Sequence, residues 1–398
     1  MPERSDDAIE FTEILKVGIS RGASDIHLRV GLQPIFRILG LLYPYKEHRP
    51  LTARHIYQIM ESILNDWQKK KFEQHKHIDL SLGIEDQGRF RINVFQQRGL
   101  PSMVLRFVPY KIQTIDELLL PAVIKKIALE PRGLILVTGT TGSGKSTTLA
   151  AMIHHINTHR SCHIVTIEDP IEFLHRDIKC LVNQREVGVD TESFAAALRA
   201  ALRQDPDVIL VGEMRDFETI QTAILAAETG HLVMSTMHTL DAQESVSRIV
   251  MVFPPHQQQD VRRQLAGILR GVISQRLLPR ADGRGRVPAV EVMVSTARIR
   301  ECIEDSAKTK EIRDAISKGY TTYGMQTFDQ SLLDLLGKKL ITYEQALKQS
   351  SNPDDFALKV AGVYSTSDTR WEGFEIPAEA EGAQAGARGE EEIERFGK

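Results

Sequence analysis

The chain is poor in the features that crosslink a fold or hold it in a membrane. Its 398 residues include three cysteines, Cys162, Cys180 and Cys302, whose number and spacing exclude a disulfide framework and a C-x-x-C metal knuckle. It has no apolar run of the length that spans a bilayer, and the polar, acidic residues 1–7 are unlike a signal peptide. A cytoplasmic protein without an integral membrane segment is therefore expected.

An excess of charge of one sign is also missing. The formal net charge is −3 and the pI is near 6.5, so the chain has no overall basic character for binding nucleic acid. It also lacks the stripe of basic and aromatic residues that would bind a single strand. Nucleic acid is therefore not an expected partner. A DNA translocase stays open as a function class that a salt titration of DNA binding would test.

The most informative signal that is present lies at residues 139–146, which fit the P-loop pattern G-x-x-x-x-G-K-[ST]. The apolar run at 134–137 predicts a buried strand before the loop, and residues 147–156 predict a helix after it. In that context the loop N–H groups point at phosphate oxygens, Lys145 reaches the outer phosphates, and Ser146 holds Mg²⁺. The predicted nucleotide contacts are Gly139, Thr140, Thr141, Gly142, Ser143, Gly144, Lys145, Ser146 and Thr147.

The first part of the chain predicts a separate small α/β domain. Helical periodicity covers residues 9–20 and 52–73, and strand patterns cover 24–30, 89–95 and 103–108. A linker is expected at residues 109–120, so the N-terminal domain is assigned to residues 1–108.

The rest of the chain predicts a P-loop core with a parallel sheet, because apolar strands alternate with helices from residue 133 onward. From residue 255 to about 359 the pattern is mostly helical. The C-terminal end of the chain has a different composition. Its last residues are rich in Ala, Gly and Glu and poor in large apolar side chains. The expected parts are an ATPase core at 121–285, a helical part at 286–364 and a disordered tail at 365–398.

An acid follows the apolar strand predicted at 207–211, as in a Walker B segment. Many P-loop proteins place Asp directly before this acid, but here Gly212 precedes Glu213. Direct coordination of Mg²⁺ by that position is therefore lost, and Glu213 is expected to act on the metal through bound water.

Three more acids, Glu168, Asp169 and Glu172, come just past the strand predicted at 163–167. Ligands of open parallel sheets bind at the carboxyl ends of the strands. These acids are therefore expected near the outermost phosphate and its attacking water, and one of them is a candidate general base.

His231 and His238 lie on either side of a third predicted strand. Taken alone, a histidine in such a place is usually packed or solvated. Arg199, Arg203 and Arg215 lie close in sequence to the predicted site, and surface ion pairs are their default explanation.

Three further segments resemble motifs of the type II/IV secretion ATPase superfamily. Residues 168–173 resemble its Asp box, 211–216 its atypical Walker B segment and 230–238 its His box, and they follow the P-loop in the family's order and spacing. On these motifs the chain is identified as a member of that superfamily over residues 9–360. Within it, the chain is most similar to the ATPases that retract type IV pili.

The resemblance implies a fold, an activity and an assembly. The fold is a PAS-like N-terminal α/β domain followed by a RecA-like P-loop ATPase domain with a helical C-terminal extension. The activity is hydrolysis of ATP with Mg²⁺, which moves a pilus platform protein of the inner membrane. The assembly is a homo-hexameric ring, peripherally associated with the cytoplasmic face of that membrane.

The resemblance also assigns roles to residues. It carries the catalytic glutamate over to Glu172, with Glu168 as the alternative base in the same box, and the Walker B glutamate to Glu213. Two N-terminal-domain arginines that approach the nucleotide carry over to Arg91 and Arg106, where a guanidinium would stabilise transition-state charge. The His-box histidines carry over to His231 and His238.

Two alternatives within the superfamily stay open. Residues 298–305 match the signature of retraction motors at Ile299, Arg300 and Ile303 and differ at most other positions. An accessory or regulatory paralogue, acting through a paired motor, is therefore one alternative. Pilus-extension and type II secretion ATPases are less favoured, because the extra N-terminal domains and tetracysteine insertion of extension motors are absent.

Overall fold

The computed structural model describes residues 6–38, 40–84, 88–109 and 111–362, with the backbone alone for residues 6–10 and 109. The tail expected at 365–398 lies outside the described residues. The chain forms two compact units. The first runs to Lys111 and also includes Glu172–His175, and the second comprises Ile112–Ile171 and the chain from Arg176 onward.

The first unit is built on a six-stranded antiparallel sheet in the order β3-β2-β1-β6-β5-β4. Alternate residues of one central strand, Phe90, Ile92 and Val94, are fully buried and share a core with Ile14 and Ile56 from the helices. The strands are β1 (Asp25–Arg29), β2 (Ile35–Ile38), β3 (Leu41–Pro44), β4 (His77–Ile84), β5 (Gly88–Gln97) and β6 (Leu100–Pro109), and the helices are α1 (Asp6–Ser20), α2 (Ala53–Ile63) and α3 (Asp66–His75).

The single helix predicted at 52–73 is wrong, because the chain breaks there into α2 and α3. Leu64 is extended, and Asn65 starts α3 by accepting a hydrogen bond from the Gln68 N–H. The Gln68 side chain accepts one from the Asn65 N–H in return, which completes a capping box. This Asn-x-x-Gln spacing was the sequence signal for the break.

The second unit contains a seven-stranded sheet in the order β13-β12-β7-β11-β10-β8-β9, parallel except for β13. Every residue of its central strands β7, β10 and β11 is buried, as expected where helices cover both faces. The strands are β7 (Gly133–Thr138), β8 (His163–Glu168), β9 (Leu181–Glu186), β10 (Val208–Val211), β11 (Leu232–Met237), β12 (Leu269–Pro279) and β13 (Arg286–Val294).

Helices of the second unit connect these strands and follow the last of them. Leu134 and Leu136 face one core and Ile135 and Val137 the other, so the two faces of the sheet are packed separately. The helices are α4 (Val123–Ala128), α5 (Lys145–His159), α6 (Phe194–Ala201), α7 (Phe217–Glu228), α8 (Ala242–Met251), α9 (Gln258–Ile268), α10 (Ala297–Glu304), a 3-10 helix (Ser306–Glu311), α11 (Ile312–Lys318), α12 (Tyr320–Tyr323), α13 (Phe328–Gly337), α14 (Tyr343–Gln349) and α15 (Pro353–Val360).

The predicted α/β class is confirmed, and helices make up most of residues 255–359 as expected, but the strands β12 and β13 within that segment were not predicted. The strands β12 and β13 form an antiparallel hairpin that extends the sheet beyond β7. The boundary expected between 285 and 286 falls in the turn between them. Buried strands read as short apolar runs, which periodicity alone does not separate from buried helix. Among the described residues, no helix combines the length and the apolar composition that crossing a bilayer requires.

Candidate active site

The P-loop leaves the buried strand β7 at the carboxyl edge of the sheet. Gly139 opens it with φ 137°, and a Cβ there would lie 2.4 Å from the backbone oxygen of Gln275, so only glycine fits. The helix α5 begins at Lys145, and Ser146 in its first turn is exposed. Free N–H groups and the positive end of the helix dipole therefore face this edge, an arrangement that binds phosphate.

Lys145 is folded back onto the loop. Its Nζ donates to the backbone oxygens of Gly139 at 2.9 Å and Thr140 at 3.2 Å, and the residue is 9% exposed. Burial lowers the pKa of this ammonium, while the negative charge of Glu213 raises it. The cation is therefore held at the mouth of the loop, beside the acid that ends the β10 segment.

Close packing at position 212 favours the glycine found there over the Asp that many P-loop proteins have before this glutamate. The Gly212 N–H donates to the Ile167 oxygen at 2.7 Å, and a Cβ there would come within 3.2 Å of the same oxygen. A side chain here would therefore require the neighbouring backbone to shift by about a few tenths of an ångström. The close approach leaves Glu213 as the acid presented at the end of β10.

The Glu213 carboxylate contacts the side chains of His238 and Arg215. Its Oε1 lies 3.1 Å from His238 Nε2 and forms an ion pair with Arg215 Nε, a hydrogen bond that raises the pKa of Arg215. Residues from the ends of β10 and β11 are thereby brought together with Lys145 at one edge of the sheet. Arg215 has a partner in the predicted site, which the sequence left as an ordinary surface arginine.

Within the Asp box, Glu168 is already engaged. Its Oε1 accepts hydrogen bonds from Thr166 Oγ1 at 2.7 Å and Gln184 Nε2 at 3.1 Å. Glu172 belongs instead to the short segment grouped with the first unit. The carboxylate of Glu168 is thus held by hydrogen bonds from side chains of its own strand and of the neighbouring strand. The role of Glu172 stays a prediction.

His231 lies at the opposite end of its strand from His238. Its backbone oxygen accepts the N–H of Gly133, the first residue of β7, and its Nδ1 lies 2.9 Å from the Ala226 oxygen. The two histidines are seven residues apart along the strand direction, a distance of about 23 Å at the usual rise. The structure therefore brings His238 to the P-loop edge and does not bring His231 there.

The two arginines predicted to approach the nucleotide face each other in the first unit. Arg91 on β5 is the register partner of Arg106 on β6, so both side chains leave the same face of the sheet. Arg106 Nε donates to Asp25 Oδ1 at 2.9 Å, while the Arg106 side chain stays 63% exposed. Asp25 is a partner that sequence inspection missed, although the polar residue in an alternating strand was the available signal.

Comparison with known proteins places most of the described chain in one family. A family profile described as type II/IV secretion system protein matches residues 7–332. The type IV pilus retraction ATPase PilT of Pseudomonas aeruginosa is 46% identical over 348 residues, which cover 87% of this chain and 100% of that protein. The type IV pilus ATPase PilU of the same organism is 38% identical over 352 residues, with 88% and 91% covered.

A solved structure is similar over the same length. The crystal structure of a pilus retraction motor, PilT, with bound ADP superimposes with a TM-score of 0.80 at 47% identity and covers 86% of this chain and 97% of that one. The similarity therefore includes both α/β units and extends to a protein that holds a nucleotide.

Proposed function

The chain belongs to the type II/IV secretion system protein family, and we propose that it is a hexameric motor that hydrolyses ATP to retract type IV pili. The observation that carries the proposal is the meeting of Lys145, Glu213 and His238 at the P-loop edge. Similarity to retraction ATPases over nearly the whole length supports the same assignment. The ring would act on a platform protein of the inner membrane, at the cytoplasmic face.

Different residues of the chain have different roles in ATP hydrolysis. The P-loop N–H groups and Lys145 bind the phosphates, and the exposed Ser146 hydroxyl and Glu213 fit the roles of direct and water-mediated partners of Mg²⁺. When bound, Mg²⁺ would neutralise charge on the phosphate oxygens. Glu172 takes the proton of the attacking water, and His238 holds the Glu213 carboxylate in place.

The test combines chemistry with physiology. Steady-state ATPase activity of the purified protein measures the reaction, and expression in a mutant that extends but does not retract pili measures the coupling. Turnover together with restored retraction supports the proposal. Turnover without retraction points to another motor of the family, and absence of turnover overturns the ATPase assignment.

An accessory paralogue is the second candidate, favoured by the segment 298–305. This segment forms most of α10, where Arg298 pairs with Glu301 at 2.7 Å and with Glu311. Its sequence departs from the retraction signature, and PilU is also a relative. An accessory protein would restore retraction only when a second motor is present, so complementation with and without that motor separates the two candidates.

If the protein forms a ring, it should have the mass of a hexamer in solution. At micromolar protein with ATP and Mg²⁺, light scattering should report a hexamer, because the family resemblance implies a six-membered ring. The matched sample without nucleotide shows whether assembly depends on ATP. A monomer under both conditions would contradict the ring and with it the proposed mechanism.

Arg91→Ala and Arg106→Ala should each lower kcat more than they raise the KM for ATP. An arginine that meets the transferring phosphate acts on the transition state, and its loss can cost about 10³-fold in rate. Arg29→Ala is the matched control, since Arg29 is an exposed arginine on the neighbouring strand β1. If both variants keep the kcat and KM of the wild type, the two arginines are ordinary surface residues.

A further inference from the structure

Glu291 is a buried acid that the proposed mechanism does not use. It lies on β13 opposite Ser274 of β12 and is 5% exposed. Ser274 Oγ accepts a hydrogen bond of 2.9 Å from Thr138 Oγ1, and Thr138 directly precedes Gly139. The side chains of Glu291 and Ser274 share one face of the sheet. The sheet order β13-β12-β7 places Glu291 two strands from β7, which leads into the P-loop.

Glu291 contacts the start of the helix α8. Its Oε1 accepts a hydrogen bond of 2.9 Å from the N–H of Ala242, the first residue of that helix. Asp241 caps the same helix but satisfies a different donor, the N–H of Glu244. The first N–H groups of a helix have no partner within it, so Glu291 completes the cap from another strand.

The start of α8 is also the end of the loop that carries His238. Residues 238–241 alone connect β11 to α8, and β11 is buried along its whole length. Thr239 Oγ1 lies 2.6 Å from Ser245 Oγ inside the helix, which ties the loop to α8 as well. Since β11 holds one end of this short loop, the position of α8 fixes the other end and restrains where His238 lies relative to Glu213, 3.1 Å away.

We propose that Glu291 positions His238 against Glu213 by anchoring the first turn of α8. The inference rests on the proposed function, because the contact it maintains serves ATP hydrolysis there. Glu291 is a positioning residue. Its carboxyl accepts a hydrogen bond at the start of α8, and it acts on the reacting groups only indirectly, through the loop that carries His238. Loss of its acceptor would free the loop and leave the buried Ala242 N–H without a partner.

The charged groups that act on Glu291 are Asp241 at the start of α8, Arg276 on β12 and Arg313 on α11. Both arginines have other partners: Arg313 pairs with Asp329 at 2.8 Å, and Arg276 lies over the Phe328 ring at 3.9 Å. The arginines thus favour the ionised carboxylate without pairing with it directly.

The wild type should lose thermal stability relative to Glu291→Gln as pH rises from about 5 to about 8. Burial, opposed by the Ala242 N–H, raises the pKa of the Glu291 carboxyl from 4.5 to about 7. The folded pKa lies above the unfolded one, so the contribution to stability is complete below the unfolded value and is lost as pH rises through about 7.

The unfolding midpoint of each protein across this pH range gives the comparison. Glu304→Gln, which changes an exposed acid of α10, should keep the slope of the wild type. Equal slopes for the wild type and Glu291→Gln would mean that this carboxyl does not titrate as a buried group.

The decisive experiment compares Glu291→Gln with Glu291→Met. The glutamine keeps an oxygen acceptor for the Ala242 N–H, and the methionine fills a similar volume without one. Amide hydrogen exchange of the peptide that spans 239–246 should quicken about tenfold or more in the methionine variant and stay near wild type in the glutamine variant. The kcat for ATP should fall about tenfold or more in the methionine variant, with little change in KM, and recover largely in the glutamine variant.

The outcomes separate this inference from the proposed function. A wild type without turnover removes the proposed function, while the exchange data still decide whether Glu291 anchors α8. Exchange and kcat of the methionine variant at wild-type values would overturn the positioning role. So would faster exchange with unchanged kcat, or a glutamine variant as impaired as the methionine one.

Discussion

Lys145→Ala is expected to abolish ATP hydrolysis and to weaken ATP binding strongly. The complete P-loop places this ammonium at the outer phosphates, and in the structure its Nζ already bonds to Gly139 and Thr140 at the mouth of the loop. Removal of one charged contact to a phosphoryl transition state costs about 10³-fold or more in kcat. Steady-state turnover and equilibrium nucleotide binding measure the two effects separately.

The matched control for this change is Lys125→Ala. Lys125 belongs to the same unit but pairs with Asp116 at 2.6 Å on the surface of α4, so its removal takes away the same charge without touching the site. Its variant should keep wild-type turnover. Turnover near wild type in Lys145→Ala, with the unfolding midpoint preserved, would refute the assignment of the nucleotide site.

Glu172→Gln is expected to stop turnover while ATP stays bound. An amide cannot take the proton of the attacking water, and loss of a general base lowers the rate about 10²- to 10⁴-fold. Glu168→Gln is the comparison within the same box, since Glu168 already accepts bonds from Thr166 and Gln184 and is expected to keep most of its turnover. An inactive Glu168→Gln beside an active Glu172→Gln would reverse the two roles.

Glu213→Gln should also lose turnover, by another route. The neutral amide would weaken the contacts to His238 and Arg215 and misplace the waters of Mg²⁺. Measuring kcat beside ATP affinity at several Mg²⁺ concentrations distinguishes a metal defect from loss of a base. A variant with wild-type kcat and an unchanged Mg²⁺ requirement would remove Glu213 from the mechanism.

Local features were predictable from the sequence because neighbouring residues produce them. The P-loop is eight consecutive residues between a strand and a helix, and its glycines and Lys145 follow directly from the motif. The α/β class followed from alternating apolar runs in the same way. The hairpin of β12 and β13 was not predicted, because its apolar residues are buried on both faces and do not alternate with the period of two that identifies a strand.

Relations between distant residues were decided by the tertiary structure alone. The sequence does not distinguish the two histidines of one motif. In the structure the strand between them places His238 at the P-loop edge and His231 at the opposite end. Register pairs Arg91 with Arg106, and strand order sets Glu213 beside His238. Such contacts join segments that are far apart in the chain, and the strand order of the sheet that brings them together is not encoded by any local pattern.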